Sequence, residues 1–175
     1  MSAALVLLLA GTFALAAAAK LRDPVAFGGT VGMVTGPATT RWVVRTLPVT
    51  EAALAVVLVV GVVPRVAAVV SAALLVAFTV ALTAVERAVR AAAPDDAPLV
   101  PCNCFGAGSD GDPVGGRVRN LLLAGVAVAL IVAPGDGLSA IEIEELAGAA
   151  TVAIGAVCAW QLTLALWRLR PGAVA

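Results

Sequence analysis

Residues 66–85, VAAVVSAALLVAFTVALTAV, decide the fold class, because none of these twenty positions holds Asp, Glu, Lys or Arg. A helix needs about 20 apolar residues to cross the hydrocarbon core of a bilayer. In lipid, every backbone polar group must be satisfied within the spanning structure, which favours helices over open strands. The stretch therefore predicts a transmembrane helix.

Further apolar stretches lie on both sides of this one. Together they predict an all-α fold, an integral membrane helical bundle with about five transmembrane helices in a single membrane domain, residues 1–175. The spans are expected at about residues 3–19, 47–63, 65–86, 119–135 and 146–168. Gly61 to Arg65 joins the second and third spans, and Pro64 suits the first turn of a new helix, which predicts a tight helical hairpin.

The composition agrees with a membrane protein and excludes several other classes. Of the 175 residues, 62% are hydrophobic and 13% are charged, against about 45–50% and about 25% in soluble domains. Eleven basic residues balance eleven acidic ones, so we expect membrane lipid as the surroundings and no nucleic-acid partner. The chain has no histidine and three cysteines, and we expect no metal.

The basic residues predict the orientation of the helices. With five spans, one side of the membrane holds only Arg65. The other side holds Lys20, Arg22, Arg41, Arg45, Arg87, Arg90, Arg117, Arg119, Arg168 and Arg170. Because lysine and arginine are enriched on the cytoplasmic side, we expect a bacterial-type inner (plasma) membrane protein with its N-terminus outside and its C-terminus in the cytoplasm. The first span lacks a preceding basic region, which favours a retained helix over a cleaved signal peptide.

Two cysteines form the sharpest local feature of the sequence. Cys102 and Cys104 are one residue apart in the stretch PCNCFG, residues 101–106. A disulfide between them would close a small, strained ring, and strain makes a disulfide easier to reduce. This favours thiol exchange. The alternatives are a structural staple in a loop or two unpaired interfacial cysteines, and Cys158 is interpreted as a packing residue.

Glu51 is the one ionisable residue between Arg45 and Arg65. It is either an acidic residue in the first turn of a helix, where the dipole favours it, or a buried carboxylate that faces the bundle, since charges within the membrane are usually paired or functional. For the second case, Arg119 is the expected partner, because both residues would lie near the cytoplasmic ends of their helices.

Two other groups of polar residues also have two interpretations. Lys20, Arg22 and Asp23 are either stop-transfer charges with a turn before Pro24 or functional residues. Arg119 and Asn120 are either a snorkelling arginine with a helix cap or a functional pair.

Taken together, four short motifs resemble the MauE/DoxX family of redox-associated membrane proteins, the MauE branch in particular. They are Lys20-Leu21-Arg22-Asp23-Pro24 with Phe27, Pro48 with Glu51, Cys102-Asn103-Cys104-Phe105-Gly106, and Arg119-Asn120. The resemblance covers roughly residues 1–135. The chain departs from it at Asn103, where the family often has glycine.

The resemblance implies a membrane component of methylamine utilisation or a similar pathway. It implies thiol–disulfide or quinone-linked electron transfer, with quinone as cofactor and a thioredoxin-like or disulfide-bearing protein as partner. Cys102 and Cys104 would be the redox pair. The supporting residues would be Lys20, Asp23, Glu51, Phe105, Gly106, Arg119 and Asn120. The alternative is a non-catalytic membrane scaffold or assembly factor with structural cysteines.

The expected orientation conflicts with disulfide chemistry outside the cytoplasm. It places Cys102 and Cys104 on the cytoplasmic side, where thiols are normally kept reduced. Three explanations stay open: the loop dips into the bilayer, the thiols pass electrons from the cytoplasm, or the orientation is inverted.

Overall fold

Five helices make up almost all of the described part of the chain. The structure is a computed structural model that describes residues 2–92 and 113–132. Within these ranges it contains no strand. The helices are α1 (Ser2–Arg22), α2 (Pro24–Gly32), α3 (Pro37–Val60), α4 (Pro64–Ala92) and α5 (Pro113–Val132). The predicted all-α bundle is confirmed for these residues.

Four of these helices, α1, α3, α4 and α5, are long and apolar enough to cross a membrane. They correspond to the first four predicted spans, so the chain is a multi-pass membrane protein. The fifth predicted span, residues 146–168 with Cys158, lies outside the described residues.

The four long helices share one core. α1 packs mainly on α3 and α4 mainly on α5, while contacts of α1 with α5 and of α3 with α4 join the two pairs. The centre holds Leu9, Phe13, Leu54, Leu75 and Ala127, all buried. Many valines are instead exposed on the outside of the bundle. An apolar exterior is what a bilayer solvates best, so the pattern fits the predicted lipid environment.

The predicted hairpin between α3 and α4 is confirmed. Gly61 ends α3 in the left-handed region with φ of 72°, and its N–H donates to the carbonyl of Val57 at 2.9 Å. Glycine adopts this conformation without the steric cost that a Cβ would bring. α4 then begins at Pro64, whose missing N–H would have no helical partner in any case.

The helix boundaries differ from the predicted spans on the arginine-rich side. α3 begins at Pro37, ten residues before the predicted start at 47, and α2 occupies part of the predicted first loop. α4 extends to Ala92, and α5 begins at Pro113 rather than 119. Charge ends the hydrocarbon-spanning part of a helix without ending the helix, because arginine can snorkel towards the headgroups.

Candidate functional site

A buried ion pair joins α1 to α3. The Lys20 ammonium donates to both carboxylate oxygens of Glu51, with Nζ–Oε1 at 2.7 Å and Nζ–Oε2 at 2.9 Å. Lys20 is 2% exposed and Glu51 is 0% exposed. Glu51 lies nine residues before the end of α3 at Val60, which is about 14 Å along a helix. The pair therefore lies inside the apolar bundle rather than at its end.

Two aromatic rings complete the surroundings of the ammonium group. Lys20 Nζ lies 5.5 Å from the centre of the Phe27 ring and 5.2 Å from that of the Phe78 ring. Both distances are within the range of a cation–π interaction, about 6 Å. Phe27 comes from α2 and Phe78 from α4, so four helices meet at one ammonium group.

The chain just after Lys20 places the Phe27 ring. The Asp23 carboxylate accepts a hydrogen bond from the N–H of Ala26 at 2.9 Å and so caps α2. Pro24 occupies the first turn of that helix, where its fixed φ favours helix initiation. The cap and the proline start α2 directly after α1, and Phe27 follows one turn later. The predicted turn at Asp23 is thus confirmed.

Pro48 lies one turn before Glu51 inside α3 and is fully buried. Proline has no N–H, so the hydrogen bond from residue 48 to the carbonyl of Val44 cannot form. Pro48 therefore interrupts the backbone ladder just before the buried carboxylate.

A second charged cluster ties α4 to α5. Glu86 is 8% exposed and accepts from Arg117 Nη1 of α5 at 2.9 Å. It also pairs with Arg90, one turn later on α4. These residues lie close to Ala92 and Pro113, the ends of the two helices. The Glu86–Arg117 ion pair therefore holds the C-terminal part of α4 against the N-terminal part of α5.

Asn120 directly follows Arg119 and lies seven residues after the start of α5 at Pro113. It is 2% exposed, and its Oδ1 accepts no hydrogen bond from the described residues. Because α5 begins at Pro113, Asn120 lies in the interior of the helix. The cap interpretation of Asn120 is therefore wrong.

One family matches most of the chain. The profile described as "Methylamine utilisation protein MauE" matches residues 1–133. The chain belongs to the MauE family. Membership implies a role in methylamine utilisation. Comparisons with curated proteins and with solved structures gave no match.

The MauE match covers both the buried ion pair and the cysteine motif. The predicted redox residues Cys102, Cys104, Phe105 and Gly106 lie outside the described residues. In the sequence they follow α4 and precede α5. Of the predicted supporting residues, Lys20, Asp23, Glu51, Arg119 and Asn120 lie within the described residues.

Two predictions about the buried pair are wrong. The partner of Glu51 is Lys20 rather than Arg119, and Lys20 is not an exposed stop-transfer charge. Lys20 Nζ also lies 3.5 Å from the carbonyl of Ala16, so the side chain runs back along α1. Long helical side chains take this direction, and here it carries the charge from the helix end into the bundle.

The open question about Glu51 is resolved in favour of the buried carboxylate. Glu51 is in the interior of α3, because that helix begins at Pro37. A lone carboxylate within an apolar span needs a cation nearby. That need was the sequence signal for the pair, and Lys20 at the end of the preceding span satisfies it.

Proposed function

We propose that this MauE-family chain is an inner (plasma) membrane component of thiol–disulfide or quinone-linked electron transfer. In this role it supports the maturation of a redox partner in methylamine utilisation. The observation that carries the proposal is the pair Cys102 and Cys104 within the matched residues 1–133. Two thiols one residue apart can alternate between a dithiol and a strained disulfide.

The electron balance of the proposed cycle is simple. The Cys102–Cys104 disulfide accepts two electrons from a partner dithiol through a mixed disulfide, so the partner gains a disulfide and the pair becomes a dithiol. Reoxidation of the pair releases two electrons and two protons. A quinone, if bound, would take up these two electrons and two protons and become a quinol. The chemistry of a dithiol therefore fits a quinone as the oxidant.

The supporting residues would act through the geometry of the bundle. Lys20 and Glu51 lock α1 to α3, and the cap at Asp23 holds α2 against the pair. Arg119 and Asn120 lie on α5 just after the cysteine motif in the chain, and Phe105 and Gly106 follow Cys104 directly. In the proposed cycle, these residues orient the cysteine stretch or bind a polar headgroup.

The partner we propose is a thioredoxin-like or disulfide-bearing protein. The distribution of arginines supports an N-terminus outside and a C-terminus in the cytoplasm. With that orientation, residues 93–112 begin and end on the cytoplasmic side.

Maleimide labelling of Cys102 and Cys104 tests the redox proposal. Intact cells that express a Cys158→Ser background are labelled with a permeant or an impermeant maleimide, with and without prior reduction. The proposal expects labelling that increases after reduction. It also expects loss of partner maturation in Cys102→Ser and Cys104→Ser, with protein levels like those of the background. Maturation retained in both serine variants would exclude the redox mechanism.

The second candidate is a non-catalytic membrane scaffold or assembly factor. What favours it is that Lys20, Glu51 and Glu86 are all neutralised by ion pairs within the bundle, as expected of structural charges. A scaffold predicts co-purification with a partner that does not depend on the cysteines. Spectral titration with a quinone analogue separates the two candidates, since a scaffold should produce no saturable change.

A further inference from the structure

An open groove lies at the start of α3, away from the buried ion pair. It has a volume of about 500 Å³ and is formed by the α2–α3 connection and the first turns of α3. Pro37 and Val44 supply apolar walls, while Arg41 and Arg45 supply positive charge. The groove therefore combines an apolar surface with two cationic groups.

The two arginines are placed to act on one ligand. They are four residues apart on α3, so they lie on the same face of the helix. Both are exposed, and neither forms an ion pair with a carboxylate of residues 2–92 or 113–132. Two guanidinium groups on one face suit a phosphate, which offers several acceptor oxygens.

The backbone at the groove adds to the preference for an anionic group such as phosphate. Gly36 caps α3 without a side-chain hydrogen bond, and Pro37 follows it. The N–H groups of the first helical turn have no partner within the helix and carry the positive end of its dipole. The hydroxyl oxygens of Thr35 and Thr40 are 2.8 Å apart and fix the turn. The helix end thus strengthens a positive field that Arg41 and Arg45 dominate.

The depth of the groove favours a lipid over a soluble anion. α3 has 24 residues, about 36 Å of helix, which exceeds the hydrocarbon core of about 30 Å. Trp42 is next to Arg41 and is 69% exposed, as is typical of tryptophan at the membrane–water interface. The first turns of α3 therefore lie at the level of the lipid phosphates.

We propose that this groove binds the headgroup of an anionic phospholipid. Arg41 and Arg45 bind the phosphate, and Val44 and Pro37 contact the start of an acyl chain. Charge complementarity carries the assignment, because the groove lining holds two positive side chains and no negative one. The site does not depend on the cysteine chemistry and stands apart from the proposed function.

Lipid binding to the purified full-length protein in detergent tests this inference. Native mass spectrometry is used to titrate phosphatidylglycerol, with phosphatidylcholine and inorganic phosphate as separate arms. The test variant is Arg41→Gln with Arg45→Gln. The matched control is Arg22→Gln with Arg87→Gln, which removes the same charge from two exposed arginines outside the groove. Thermal unfolding without added lipid shows that each variant is folded.

The wild type and the control should bind phosphatidylglycerol more tightly than phosphatidylcholine. The Arg41/Arg45 variant should lose about tenfold in affinity for phosphatidylglycerol, since one charge-assisted hydrogen bond is sufficient for a change of that size. An equal loss in both variants would overturn the inference, because it would indicate attraction to net charge alone. Competition by millimolar inorganic phosphate would overturn the lipid assignment in favour of a free-anion site.

Discussion

Lys20 and Glu51 show how one buried contact depends on both of its partners. Moving either charge out of water is costly, and the attraction between them offsets that cost only while both are present. The two Phe rings add cation–π stabilisation of the ammonium. The pair therefore ties α1 to α3, and the two rings bring α2 and α4 to the same ammonium group.

Neutralising one partner should lower the free energy of unfolding far more than neutralising both partners. Lys20→Met leaves the Glu51 carboxylate buried and unpaired, which typically costs about 3–5 kcal/mol. Lys20→Met combined with Glu51→Gln should recover most of that loss. Thermal and chemical unfolding in detergent measures the free energies of unfolding of the two single variants and the double variant.

Arg22→Met is the matched control for this cycle, because Arg22 is exposed in the same turn of α1. It should change the free energy of unfolding by less than about 0.5 kcal/mol. The assigned pair would be contradicted if the losses of unfolding free energy in the Lys20 and Glu51 single variants simply added up in the double variant.

At the scale of helices, α3 is shaped by residues that break a regular ladder. Gly61 ends the helix with a positive φ, while Pro48 removes one backbone hydrogen bond beside the buried carboxylate. α4 and α5 are joined near their charged ends through Glu86 and Arg117. The elements thus meet at points set by single residues, while the helices themselves continue beyond the apolar runs on the arginine-rich side.

Gly61→Ala should destabilise the α3–α4 hairpin by roughly 1 kcal/mol, because a Cβ is disfavoured in the left-handed region. Gly125→Ala is the control, since Gly125 is an exposed residue inside α5 with nothing within 4 Å of an added Cβ. That change should be neutral or slightly stabilising, because alanine favours helix more than glycine does. Comparable melting temperatures for the two variants would argue against the strained position.

The whole molecule carries its charges asymmetrically. In the described residues, Arg65 lies at the hairpin end of α4, and the other arginines lie on the far ends of the helices or on the connections there. The buried Lys20 adds no net charge to this side, because Glu51 neutralises its charge. The asymmetry of the remaining arginines still predicts the orientation across the membrane.

Single introduced cysteines should report that orientation. In a background without native cysteines, Val62→Cys in the α3–α4 hairpin should react with an impermeant maleimide on intact cells. Gly36→Cys in the α2–α3 connection should react only with a permeant reagent. Both positions are exposed, so burial does not account for the difference. The reverse pattern would place the cysteine motif outside the cytoplasm.

Much of the fold follows from local chemistry and could be predicted. Uncharged runs such as residues 66–85 specify spanning helices, because length and apolarity alone determine whether a segment can cross a bilayer. Gly61 and Pro64 specify a hairpin for an equally local reason. The N-terminal ends of α3 and α5 are harder to predict, because arginine interrupts the apolar run while the helix continues.

The sequence by itself determined a multi-pass helical bundle of the MauE type, its hairpin and the unusual position of Glu51 within an apolar run. Only the tertiary structure decided that Lys20, rather than Arg119, pairs with Glu51 and that Phe27 and Phe78 surround the ammonium. Apolar runs and turns depend on neighbours in the chain. The partner of a buried charge depends on which helix packs beside it and on how far a long side chain reaches back along its own helix.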